Sequence, residues 1–355
     1  MERLEILRTH MRNKGIEAFV ISTQANIYYI SKFYAEAGVA LILVSQKDAI
    51  MISDGRFMSE AKEVTTGLDI RRWKSSLFAD LGSVLDEKNI HDVYIDEQDV
   101  CYGDAKLLDA NTKANIHSAP SIIEDMRHIK SKEELENIQQ ACRIADESFD
   151  AILSFIKPGI TEKEVADELE FQMRKRGAST CSFETIVASG HRGALPHGVA
   201  SEKILQKGDM ATMDFGALYH HYCSDITRTI CIGEVDSQLL EVYDIVKEAQ
   251  ALGAKTLKAG VKSQDLERVI REYIQSKGYD LIHGPGHSFG LEIHEHPFIS
   301  KGSDYVFEEN VVVTLEPGIY IPGLGGVRIE DDFLVTKDGC EVLTHACKDR
   351  IVLPF

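Results

Sequence analysis

The sequence predicts a mixed α/β protein in two domains, and three observations predict it. The chain has 355 residues, more than one domain usually holds. Its first 120 or so residues alternate short apolar runs with helical patterns. The remainder reads helices, strands, helices, strands, which suggests two similar α/β halves. The expected division is residues 1–125 and 126–355.

The elements follow in order. A charged amphipathic helix over 2–14 ends at Gly15. Apolar runs at 18–22, 40–45 and 49–53 read as strands, with a turn at Asp54–Gly55. Another strand is expected at 92–97 and a helix near 103–110. No glycine-rich phosphate fingerprint occurs in this part. Pro120 ends it, and Ser131 with Glu134 forms a capping box that opens a helix to about 155. Pro158–Gly159 stops that helix, and Thr161 with Glu164 caps the next, which ends at Gly177. Two more helices are expected at 237–257 and 263–276, the second starting from Ser263 with Glu267 close by. Strands are expected at 183–189, 209–218, 223–233, 311–321 and 326–336.

Composition narrows the function. A formal net charge of -18 argues against nucleic acid and anionic membranes as partners. No apolar run reaches the roughly 18 residues of a membrane helix. The opening MERLEILRTHMRNKG lacks the apolar centre of a secretory signal, so a cytoplasmic location is expected. Seven scattered cysteines without a CxxC read as free thiols rather than zinc ligands.

With 57 acidic residues, a carboxylate matters only by position. Asp214 lies in MATMDFGALY and Asp225 in CSDITRTICIG, both apolar strand patterns joined by a short link. A turn centred between Tyr219 and His220 would set Asp214 directly opposite Asp225, with Cβ atoms about 5 Å apart. That link holds no Gly or Asn, which disfavours a tight two-residue turn. Glu316 in VVVTLEPGIYI and Glu330 in GGVRIEDDFLVT repeat the construction, and a turn centred on Gly323 sets them opposite each other. Opposed buried carboxylates repel, and a bound cation relieves both the repulsion and the burial. The alternative is a buried salt bridge with Arg228 or Arg328. The segment HGPGHSFGLEIHEHP adds His283, His287, His294 and His296, among glycines that permit close approach. Four carboxylates and one imidazole form a hard, oxygen-rich donor set, suited to two divalent ions that activate water. Spacing alone thus points to a metallohydrolase. His197, in GALPHGVAS, reads by itself as a loop residue.

The blocks SFETIVASGHRGALPHGVAS, MDFGALYHHYCSDITRT, GPGHSFGLEIHEHP, TLEPGIYIPG and GGVRIEDD resemble, in family order, the pita-bread metallopeptidases. They are most similar to the Xaa-Pro aminopeptidase and Xaa-Pro dipeptidase (prolidase) branch. ANIYYISKF and ISDGRF resemble its creatinase-like N-terminal domain. The resemblance implies a creatinase-like α/β domain over 1–125 and a pita-bread catalytic domain of two pseudo-symmetric halves over 126–355. It assigns Asp214, Asp225, His287, Glu316 and Glu330 to two divalent metals, with Mn²⁺ ahead of Co²⁺, Zn²⁺ or Fe²⁺. It makes Glu316 the general base, sets His197 and His294 against the substrate as catalytic groups, and uses Arg328 and Thr227 to orient carboxylates. His296 stays a loop residue.

The implied activity is exopeptidase hydrolysis of the Xaa-Pro bond in dipeptides or short peptides, by a homodimer. The alternatives are a metalloaminopeptidase indifferent to proline and a non-catalytic binding protein on the same fold. One departure stands out. Strict dipeptidases of the branch often carry an arginine after the substrate histidine, to grip the dipeptide carboxylate. From His294 to Glu309 this chain has none, and Lys301 is the only lysine of that stretch. Arg56 and Arg71 of the N-terminal domain are the other candidates for that grip.

Overall fold

A computed structural model describes residues 2–34, 36–119 and 121–355. Pro120, where the sequence ends the first region, lies outside the described residues. The chain divides into two compact units, 1–126 and 127–355.

The first unit contains α1 (Glu2–Lys14), β1 (Ala18–Ile21), α2 (Gln24–Ser31), β2 (Ala40–Ser45), β3 (Ala49–Ser53), α3 (Met58–Val64), β4 (Asp69–Arg72), α4 (Leu77–Lys88), β5 (Asp92–Asp96), α5 (Tyr102–Asp109) and β6 (Asn115–Ala119). The strands form one sheet in the order β4-β3-β2-β1-β5-β6. Its central strands are buried throughout, so they read as unbroken apolar runs rather than alternating ones. Val20, Leu41, Leu43, Ile50 and Val93 of the sheet pack with Phe78, Leu81 and Leu85 of α4. α6 (Ile122–His128) contains the division between the units.

The second unit opens with α7 (Lys132–Ile152) and α8 (Glu162–Lys175), and both predicted capping boxes are formed. β7 (Thr180–Cys181), β8 (Ile186–Ser189), β9 (Met210–Phe215), β10 (Ala217–Tyr219), β11 (Tyr222–Cys223) and β12 (Ile226–Ile232) follow. Then come α9 (Ser237–Thr256), α10 (Ser263–Ser276), β13 (His287–Ser288), β14 (Glu295–Phe298), β15 (Val312–Leu315), β16 (Gly318–Ile321), β17 (Gly325–Arg328), β18 (Asp331–Val335), β19 (Cys340–Val342) and β20 (Val352–Leu353). Ser263 does not cap α10. It is the first helical residue, and its hydroxyl donates to the Phe298 carbonyl at 2.8 Å.

The two halves are built alike. Ile144, Phe149, Val165 and Leu169 of α7 and α8 pack on Val187, Met213 and Ile230 of the sheet β20-β12-β9-β8. Val242, Val246, Leu266 and Ile270 of α9 and α10 pack with Val313, Leu315 and Phe333 of the sheet β14-β13-β15-β18-β19. Each helix pair thus covers one apolar sheet face.

The long predicted strands are interrupted. The 209–218 run breaks at Gly216, 223–233 at Ser224–Asp225, 311–321 at Glu316–Pro317, and 326–336 at Ile329–Glu330. Gly216 is required at its break, because a Cβ there would lie 1.8 Å from the Ser224 carbonyl oxygen. That oxygen is backbone and cannot swing aside. Gly216→Ala is therefore expected to lower stability by about 3 kcal/mol. A urea midpoint equal to wild type would show that the chain relaxes there freely.

Candidate metal centre

The β9–β12 hairpin turns at His220 and His221, both with positive φ (46° and 70°). This is the tight two-residue turn that the composition disfavours, one residue later than expected. His220 is held by stacking on Tyr219, with ring centroids 4.1 Å apart, and by a 3.1 Å contact to the Asn137 side chain on α7. The later turn moves the register by two residues. Asp214 therefore faces Thr227, not Asp225. A two-residue slip preserves the face, so Asp225 stays on the Asp214 side, diagonally placed.

The second hairpin has the register read from sequence. Pairs such as Gly318↔Arg328 below and Leu315↔Asp331 above share one count about Gly323, so Glu316 and Glu330 sit opposite each other in the gap between the two ladders. The hairpins are joined where the Glu330 N–H donates to the Thr227 carbonyl at 3.1 Å.

The structure brings the five expected ligands to the floor of one cavity of about 720 Å³. One donor atom from each of Asp225, His287 and Glu330 lies within 4.8 Å of the others, and all three residues are buried. His287 Nε2 stands 3.6 Å from both Asp225 Oδ2 and Glu316 Oε1. That is too long for a hydrogen bond. Its Nδ1–H donates to the Ser288 carbonyl at 3.1 Å, which leaves the Nε2 lone pair facing the carboxylates. Burial, with His294 beside it, pushes the His287 imidazole down to about 4, so the ring is neutral.

The carboxylates are out of balance by themselves. Burial, then Glu330 and Asp214, pushes the Asp225 carboxyl well above its ordinary range. Burial, then Glu316 and Asp214, does the same to Glu330. Burial raises Glu316 to about 8. Asp214 Oδ1 and Asp225 Oδ1 are buried acceptors with no hydrogen-bond partner. A neutral imidazole, four crowded carboxylates and two orphaned oxygens fit divalent cations, which would satisfy all of them together.

Arg328 and Thr227 lie behind the carboxylates. Arg328 donates through Nη2 to Asp214 Oδ2 at 2.6 Å and through Nε to the Thr227 hydroxyl at 3.1 Å. Thr227 in turn donates to Glu330 Oε2 at 2.6 Å. The salt-bridge alternative thus holds for Arg328 with Asp214, in addition to the cluster. Arg228 points to the other face and pairs with Asp331 at 2.6 Å.

His197 and His294 line the same cavity. The His294 ring meets His287 edge to face at 4.5 Å. His296 is not a loop residue: it lies in β14, exposed, with its ring against Phe298. Its side chain alternates away from buried Glu295, which keeps it at the surface.

Sequence reasoning missed Tyr320 and named His283 without giving it a role. Arg328 Nη1 donates to the Tyr320 hydroxyl at 2.9 Å, which is 2.9 Å from His283 Nε2. The signal was present: Tyr320 pairs with Gly326, so the count about Gly323 places it diagonal to Arg328 on one face. It also missed Asp332, whose Oδ2 accepts the Asp225 N–H at 3.0 Å.

Known proteins are similar to this chain over nearly its whole length. The uncharacterized peptidase YqhT of Bacillus subtilis is 41% identical over 354 residues, covering 99% of this chain and 100% of that protein. The solved Xaa-Pro dipeptidase from Bacillus anthracis superposes with a TM-score of 0.96 at 42% identity, over 99% of both chains. The X-Pro aminopeptidase from Thermotoga maritima gives 0.90 at 39% identity, over 99% of this chain and 100% of that one. Residues 3–129 match the creatinase/prolidase N-terminal domain and residues 136–337 match metallopeptidase family M24. With a creatinase-type N-terminal domain before a pita-bread catalytic domain, the chain belongs to metallopeptidase family M24.

Proposed function

We propose that this chain is an exopeptidase that hydrolyses the bond between an N-terminal residue and a following proline. The observation that carries the reading is the cluster of Asp214, Asp225, His287, Glu316 and Glu330 on the floor of a cavity that His197 and His294 also line. Relatives named Xaa-Pro dipeptidase and X-Pro aminopeptidase support the proline preference.

Asp214, Asp225, His287, Glu316 and Glu330 would hold two divalent ions. Bound there, the ions supply a Lewis acid that polarises the scissile carbonyl and makes water acidic enough to attack. The oxygen-rich donor set favours Mn²⁺ over Co²⁺, Zn²⁺ or Fe²⁺. Glu316 takes the proton from the attacking water and returns one to the departing proline nitrogen. His197 and His294 donate hydrogen bonds to the carbonyl oxygen as negative charge develops on it. Arg328 fixes Asp214 and Thr227 fixes Glu330, so neither carboxylate swings when charge changes beside it. A proline nitrogen has no N–H, so a site that leaves that position uncontacted admits it. A homodimer in the cytoplasm completes the proposal, and the molar mass in solution tests the dimer.

The test is the full chain with each divalent ion on Xaa-Pro and Xaa-Ala peptides of two to five residues. Metal-dependent release of the first residue from the proline series is expected, and a chelator should abolish it. Faster release from the alanine series would make the enzyme a general aminopeptidase. Stoichiometric metal with no cleavage would leave a binding protein.

A further inference from the structure

We propose that Glu162 is a positioning residue for His197: its buried carboxylate closes the loop that carries His197 and so sets where that imidazole meets the substrate. The inference rests on the exopeptidase reading above and adds to it a residue outside the cavity.

Glu162 is the first residue of α8 and stands outside the cavity lining. An acid in the first turn of a helix is ordinary, because the helix dipole favours negative charge there. Full burial is not, since a carboxylate seldom leaves water unless it is paired. Glu162 is 0% exposed. Its Oε1 accepts the Ser189 N–H at 2.7 Å and the Ser189 hydroxyl at 2.8 Å. Its Oε2 accepts the Ser201 N–H at 3.2 Å, the Ser201 hydroxyl at 2.6 Å and Arg192 Nη1 at 3.1 Å. All of these donors belong to one loop.

They tie its two ends together. Ser189 ends β8, and Ser201 lies where the chain returns to α8, with its carbonyl accepting the Lys163 N–H at 3.1 Å. His197 lies between them. Arg192 spans the interior of the loop. While Nη1 holds Glu162, Nη2 donates to the Val199 carbonyl at 2.8 Å. Val199 bridges back to Ile186 of β8, and a Cβ on Gly198 would stand 2.6 Å from the Ala188 Cβ. On the metal side, Arg328 Nη1 donates to the Pro196 carbonyl at 3.0 Å. His197 itself is exposed and lines the cavity. Its backbone, rather than close packing, therefore sets where the ring stands. Arg328 holds that backbone from one side and Glu162 from the other. A hydrogen bond aimed at a developing oxyanion loses much of its value when its donor is about 1 Å out of place.

Glu162→Gln keeps the shape of the side chain, turns one acceptor into a donor and leaves Arg192 without its counter-charge. The experiment uses the manganese-loaded full chain on the faster of Leu-Pro and Leu-Pro-Gly. The substitution is expected to lower kcat at least about tenfold, with KM within about twofold and metal per chain unchanged. His197→Ala should lower kcat further. In the His197→Ala background, Glu162→Gln should then cost less than about twofold, because the residue it positions is gone. Equal effects in both backgrounds would make Glu162 a support of the whole unit and overturn the inference. Amide hydrogen exchange reads the loop without catalysis. Glu162→Gln should speed exchange within 190–201 at least about tenfold and leave β12 unchanged. Unchanged exchange within 190–201 overturns the inference and leaves the exopeptidase reading standing. Ser201→Ala removes only one hydroxyl from the carboxylate and keeps the test open if Glu162→Gln does not fold. It should lower kcat and speed loop exchange about threefold, and no change in either overturns the inference. Wild type that cleaves neither peptide overturns the exopeptidase reading, and this inference with it.

Discussion

Asp225→Asn is expected to lower kcat/KM at least about a thousandfold, about 4 kcal/mol of transition-state stabilisation. The side chain keeps its shape, so packing around it is unchanged. What changes is charge and polarity at the centre of the cluster. Asp225 is 4% exposed, its Oδ1 has no partner, and its Oδ2 lies 3.6 Å from His287 Nε2. The amide removes one negative charge and turns one acceptor into a donor. Bound metal per chain should therefore fall together with activity. The stability of the metal-free protein separates this from a structural role. Burial and Glu330 already press Asp225 toward its neutral form, so removing the charge relieves the cation-free protein. Unfolding of chelator-treated Asp225→Asn should occur at a denaturant concentration no lower than that of wild type. Full metal occupancy with activity within tenfold of wild type would remove Asp225 from the proposed ligand set.

Legibility in the sequence followed the range of the interaction. The capping boxes at Ser131 and Thr161 link residues three positions apart, and both are formed as read. The Gly323 turn is equally local, and its register carries Glu316 to Glu330, Gly318 to Arg328 and Leu315 to Asp331. The first hairpin was legible only to its face. Its turn depends on Asn137, 83 residues before His220, and on the stacking of Tyr219, neither of which a local pattern contains. The strand breaks were invisible for the same reason. Apolar runs such as VVVTLE and GGVRIE look continuous, whereas Glu316 and Glu330 fall just where the ladders stop. The N-terminal sheet was read only in its buried strands. β4 and β6 are half-exposed and polar, and they belong to the sheet through parallel pairing that sequence periodicity does not reveal.

Glu295→Gln is expected to destabilise the second unit by about 3–5 kcal/mol, the cost of removing one partner from a buried ion group. In the sequence Glu295 is one more acid in an acid-rich chain. In the structure it is 7% exposed and holds two buried cations, Arg127 Nη2 at 2.5 Å and Lys130 Nζ at 2.8 Å. Those residues lie 168 and 165 positions away, out of reach of any local pattern. Burial alone would raise the Glu295 carboxyl, but Lys130 and Arg127 prevail and hold it down at about 2. A lowered folded-state value contributes stability above the unfolded value near 4.5, and that stability is lost as pH falls from there toward 2. The shift corresponds to about 3 kcal/mol at neutral pH. The stability gap between wild type and Glu295→Gln, read from urea unfolding of metal-free protein, should be widest near pH 7. It should narrow steadily below pH 4.5, because acid makes the wild-type group neutral too. A gap that is constant down to pH 2.5, or below about 1 kcal/mol at pH 7, would show that the cations find other partners. The consequence reaches the cavity. Glu295 also accepts the Glu292 N–H at 3.1 Å, so it fixes the backbone on either side of His294. Where the variant stays folded, His294 loses that anchor, and kcat should fall more than metal content does.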